Sequence, residues 1–411
     1  MKNTLSFIVE AIEKSNIKLF ILLSVFLLGR KYLNLLSIIF VLISLACVVI
    51  TAVLNERNAK ISSHILISFF VFLAILLIVV LNSQYSLENT IISAAFLILA
   101  IWQFRKDSEN TLFSSPKRDW FYAIILLWLT FFWIKTWLTG ILTSEFFYLP
   151  STWDKNYTGV VVFIFFCYCK KRGYILGKIV SLLYTVTLRS RMLLLAIVFI
   201  YLINIVNTLG NKSKFIHWAM EKISCFKTGM IFCTILILTI VTVLFSYFMV
   251  EYVPISNISQ YQQSLNDKSN AIRVRANVYA VEQIMHDKNI FIRGYDNDIK
   301  QVLGVETENT AVMYKGFRLV QPHNLVLNMC LKNGVLFTLI YIILLSKLLS
   351  FWWCKENLPY LLPYLLMCMM VHSLMSTTYL YALLFMLACP FTVKQKHFVI
   401  KWKSNVQKVE T

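Results

Sequence analysis

The stretch EYVPISNISQYQQSLNDKSNAIRVRANVYAVEQIMHDKNIFIRGYDNDIKQVLGVETENTAVMYKGFRLVQPH, residues 251–323, decides how the chain is read. It is the one long polar interruption among apolar runs. A hydrophobic segment ends near Val250 and another begins near Leu325. At roughly seventy residues it is too long for a simple connector. Within it, RANVYAVEQIMHDKNIF (residues 275–291) predicts a helix, with Val278, Val281, Ile284 and Met285 at helical spacing. Gly294 ends that pattern as a turn residue would.

The sequence on either side belongs to a membrane frame. Of 411 residues 58% are hydrophobic and 14% charged, and the mean hydropathy is +0.69. Soluble domains hold about 45–50% apolar residues. A chain this apolar has more such surface than a water-soluble core can hide. Apolar runs of spanning length (about 17–25 residues), with several shorter ones, number about twelve. They fall at 18–30, 33–54, 64–82, 87–104, 120–142, 158–169, 174–188, 192–210, 229–250, 325–349, 358–374 and 376–392. The expected fold is therefore an all-α polytopic membrane protein with one large, partly helical periplasmic loop. Three regions follow: helices in 1–250, the loop at 251–323, and helices with a basic tail in 324–411.

The net charge of +19 does not point to nucleic acid. Most Lys and Arg lie in short loops, near 55–60, 105–118, 170–172, 212–227, 347–355 and 394–408. These alternate on one side, which the positive-inside rule makes cytoplasmic, with both termini inside. Residues 251–323 then face outward. The nine Cys are scattered without a CxxC pair and are expected to be small buried hydrophobes. There is no GxGxxG, no P-loop and no HExxH.

Arginines recur on the outer face, where positive residues are disfavoured: Arg189, Arg191, Arg273, Arg275, Arg293 and Arg318. A single boundary Arg ordinarily anchors to headgroups. Six together suggest an anion site, because the planar guanidinium fork matches phosphate and keeps its charge. His323 follows in QPHNLVLN, where Pro322 presets a turn and Asn324 can cap the next helix. A His at a helix start is ordinarily a cap or packing residue. Placed at the interface and facing a polar segment, it could also transfer a proton. His286 and His372 lack that setting. Asp296 and Asp298 read as an exposed turn, so no metal and no cofactor are expected.

With these residues in place, the chain resembles the O-antigen ligase/polymerase superfamily of bacterial membrane glycosyltransferases. The resemblance rests on four motifs in order. Ser190-Arg191-Met192-Leu193-Leu194-Leu195 matches an SRxxxL pattern at a span start, and Arg275 with Tyr279 matches an Arg followed by an aromatic four residues on. Arg293-Gly294-Tyr295 matches a Gly turn, and His323-Asn324, nine residues, then Gly334 matches the late motif. The turn Asp154-Lys155-Asn156 before Gly159 also recurs in relatives, whereas Phe337 departs from their small residue or Tyr. The likeness covers the second half; residues 1–150 match only in hydropathy.

The resemblance implies an undecaprenyl-diphosphate-linked glycan as donor. The acceptor would be the lipid A-core sugar for a ligase, or the growing glycan for a repeat-unit polymerase. The acceptor hydroxyl would attack the anomeric carbon, lipid diphosphate would leave, and the arginines would stabilise its charge. His323 would be the base or a donor to the diphosphate. A flippase of lipid-linked sugars is the competing class. It would place broken helices at the bilayer midplane.

Overall fold

Uninterrupted runs of Leu, Ile, Val and Phe leave the backbone one way to satisfy its hydrogen bonds away from water, the α-helix. The computed structural model describes residues 120–139, 155–210, 213–252, 268–292, 294, 313–314, 317–318 and 322–370. The expected spans before residue 119, the span at 376–392 and the basic tail lie outside the described residues. Regular structure among the described residues is helical, apart from one short hairpin. The elements are α1 (Trp120–Leu138), α2 (Lys155–Arg172), α3 (Ile175–Thr187), α4 (Arg191–Gly210), α5 (Lys214–Ser224) and α6 (Thr228–Tyr252). Then come α7 (Lys268–His286), α8 (Asn289–Ile292), the strands β1 (Met313–Tyr314) and β2 (Phe317–Arg318), α9 (Leu325–Asn333), α10 (Val335–Leu349) and α11 (Leu358–Met370). The strands pair antiparallel, Met313 with Arg318 and Tyr314 with Phe317.

Among the described residues, two helices are long and apolar enough to cross a membrane. They cover Arg191–Gly210, with mean hydropathy 2.4, and Thr228–Val250, with 2.5. Only 28% and 17% of those windows are buried, the reverse of a soluble core helix. Leu194, Leu195, Val198, Leu202 and Ile205 of α4 lie exposed, as do Ile237, Ile240, Val241, Leu244 and Phe248 of α6. Helix α2 is the opposite case. Its run VVVFIFFCYC is apolar all round, and residues 160–169 are all buried. It packs on α3 and α4. At the α2–α3 joint a side chain on Gly177 would strike Cys169 Sγ and lie 2.9 Å from Tyr122 Cε2. Tyr184 Oη closes the α3–α1 contact by donating to the Leu129 carbonyl at 2.9 Å.

Contacts fix the relative course of α6 and α11. Trp353 Nε1 donates to the Ile223 carbonyl at 2.9 Å, just ahead of both helices. Thr239 Oγ1 reaches Met369 Sδ at 3.4 Å. Each is the twelfth residue of its helix, so the two helices run parallel from one end. That end gathers three basic segments. Lys171 Nζ donates to the Glu356 carbonyl at 3.4 Å, and α5 folds back against the close of α4, where Gly210 meets Ile216 and His217.

Three expectations change. The run 325–349 is two helices rather than one, broken at Gly334 with φ 85 and ψ 158, a conformation outside the helical region. The basic stretch 212–227 is not merely a loop, since it contains α5. The cysteines divide: Cys167, Cys169, Cys330 and Cys368 are buried, but Cys225 and Cys233 are exposed and Cys354 lies between.

Candidate functional site

The loop helix begins earlier than its pattern suggests, at Lys268, and stops at His286 before the turn at Asp287. Its amphipathic build explains where it goes. Ala276 and Ala280 are small, and with Ile290 they pack against Leu327 and Leu331 of α9. On another face Asn277 Nδ2 donates to Ser246 Oγ of α6 at 3.3 Å. Helix α7 thus packs on α6, α9 and β2.

Arg275 opens the described stripe Arg275, Tyr279, Glu282 at i, i+4, i+7. It is 1% exposed, among the largest fully buried side chains. Burying a permanent cation is costly, so such a residue is either an internal anchor or part of a site. Tyr279 and Glu282 are half-buried. Burial, and then the neighbouring Glu282 carboxylate, push the Tyr279 phenol above its ordinary value. Glu282 is a residue the sequence reading passed over; only its register with Arg275 could have flagged it.

Asn324 is the cap of α9. Its Oδ1 accepts from Val326 N at 3.0 Å and Leu327 N at 3.2 Å, and its Nδ2 lies 3.6 Å from Met369 Sδ. Such a cap contributes about 1 kcal/mol. The capping role in QPHN therefore belongs to Asn324 and not to His323. His323 itself is half-buried.

The Met369 contact also sets the depth of this turn. Met369 and Thr239 stand eleven residues beyond the starts of α11 and α6, roughly 16 Å along. Asn324 lies at that level. Had α9 continued the line of α10, it would stand twice as far away. The break at Gly334 turns α9 off the line of α10, so the His323 turn stands at the level of Thr239, about half-way along α6 and next to the Met370 end of α11. Ser246, under α7, is about 10 Å further along α6. Helix α7 thus meets α6 beyond the level of the His323 turn and packs on α9, the helix that follows that turn.

The other arginines separate. Arg273 is half-buried on α7. Arg189 and Arg191 are exposed at the start of α4, whose packing partners are α2, α5 and α11. Arg189 has φ 48, a left-handed residue after α3 where glycine is usual. Ser190 caps α4, its Oγ accepting from Leu193 N at 3.4 Å. It lies 3.4 Å from where a Gly159 side chain would sit, so the buried Asn156 and Thr158 of α2 come close to the Arg191 turn. Helix α11 touches both α4 and α9 and is the link between the two groups of arginines. Gly294 has φ 62, as a turn glycine does. Arg293, Asp296 and Asp298 lie outside the described residues. Arg318 belongs to β2, which lies against α7. Among the described residues no three His, Cys, Asp or Glu side chains group as metal ligands.

No family model matches the chain, and neither curated proteins nor solved structures offer a match.

Proposed function

We propose that the protein is a multi-pass glycosyltransferase of the inner membrane, of the O-antigen ligase type. It moves a glycan from undecaprenyl diphosphate to a sugar hydroxyl on the periplasmic face, with both termini cytoplasmic. The observation that carries this reading is the packing of α7, bearing Arg273, Arg275 and Tyr279, against the helix that follows His323 and Asn324. That packing supports the reading because it brings the helix of Arg273 and Arg275 onto the helix that starts at His323-Asn324, two segments far apart in sequence. A lipid-linked diphosphate suits such a place, with its charge at the arginines and its tail along the exposed apolar faces of α4 and α6. A repeat-unit polymerase of the same superfamily uses the same chemistry with a growing glycan as acceptor.

The test is transfer by purified protein from a lipid-diphosphate glycan. Arg275→Lys keeps the charge and loses the fork. Both Arg275→Lys and Arg275→Ala should fall about 10²-fold or more while still inserting in the membrane. If both transfer at the wild-type rate, the site lies elsewhere.

One observation favours a second reading, a transporter of lipid-linked sugars. The helix broken at Gly334, with a polar turn at mid-height, is the kind of element transporters use.

A further inference from the structure

Helix α5 is eleven residues long, about 16 Å, too short to span a bilayer. Its position is nevertheless fixed. Ile216 and Met220 turn inward, Gly210 admits the close approach of Ile216, and the Ile223 carbonyl accepts from Trp353. The opposite face is exposed and mixed. Phe215 and Trp218 are 73% and 55% exposed, with ring centroids 6.2 Å apart. Lys222, one turn beyond Trp218, is exposed on the same face, and Lys227 is exposed in the turn that leads from α5 to α6. The carboxylate on this helix, Glu221, is engaged by His217 at 3.1 Å. Among the described residues, the same end of the bundle also carries Lys171, Arg172 and Lys355, with Glu356 beside them. Water does not favour an exposed Phe–Trp pair on a helix held this firmly, and a protein partner would need acidic groups to match the lysines.

We propose that α5 lies flat in the inner-leaflet interface and binds anionic phospholipid. Phe215 and Trp218 sit at the acyl boundary, and Lys222 and Lys227 hold the phosphodiester headgroup. This rests on the membrane and sidedness reading above but not on glycosyl transfer.

The test uses the full chain in vesicles of brominated phosphatidylglycerol or brominated phosphatidylcholine. The signal is the Trp218 emission, taken as the difference between wild type and Trp218→Phe. Half-maximal quenching should need a mole fraction of phosphatidylglycerol about tenfold lower than of phosphatidylcholine, since each lysine near an anionic surface contributes about 1 kcal/mol. Lys222→Gln/Lys227→Gln should abolish that preference while quenching by both lipids persists. Equal quenching by both lipids in wild type overturns the proposal, as does a preference unchanged in the double variant. Protection from quenching by soluble glycerol 3-phosphate also overturns it, because the ligand would then be a free phosphate. Release of the chain from membranes by alkaline carbonate would instead show that the membrane reading itself has failed.

Discussion

His323 is separated from structure by its neighbour. Asn324 already satisfies the first amides of α9, so replacing His323 removes no cap. If the imidazole takes the acceptor proton, His323→Ala should cut turnover by about 10²–10⁴-fold and leave donor binding nearly intact. If it donates to the diphosphate, affinity should fall together with rate, as for Arg275→Ala. His323→Asn, of similar size and still polar, tells the two catalytic roles from none. Near-normal transfer by that variant, measured with donor binding in parallel, would return His323 to structure. The pattern QPHN displayed both a cap and a candidate base in the sequence, but which residue did which depended on side-chain direction.

At the scale of elements, the break at Gly334 shapes the candidate site. A non-glycine residue at φ 85 and ψ 158 costs on the order of 1–3 kcal/mol. Gly334→Ala should therefore lower the melting temperature in detergent. If the strain is relieved by straightening α9 onto α10, it should also lower transfer far more than a stability loss of that size would. Unchanged stability would mean the break does not depend on glycine. The sequence displayed a continuous apolar run across 325–349, and periodicity cannot reveal a redirection made by one residue. Helix α7 was legible in its spacing, from Val278 to Met285, because one face is apolar and one polar. Its start at Lys268 was not, since Asp267, Ser269 and Asn270 are all possible caps and nothing in the polar run chooses among them. Helix α5 was hidden for another reason: its lysines mark a loop by charge, while Ile216, Met220 and Ile223 mark a helix by period.

At the scale of the whole molecule, the helical, apolar character of the chain was open to reading because lipid imposes it on composition. Contacts through Trp353 and Lys171 bring segments 170–172, 212–227 and 347–355 to one end, as three loops on one side of a membrane would require. The level of the His323 turn was not open to reading, because it follows from the parallel run of α6 and α11 and from the point at which Met369 meets Asn324. What the protein does to a lipid-linked glycan separates an enzyme from a transporter. The most direct measurement places purified protein in sealed vesicles, with lipid-diphosphate glycan and acceptor supplied from one side, and follows both halves of the donor. Transfer predicts glycosylated acceptor and free lipid diphosphate in equal amounts on the side that residues 251–323 face, with loss of both in Arg275→Ala. Intact donor crossing the bilayer with its glycosidic bond unbroken would contradict it.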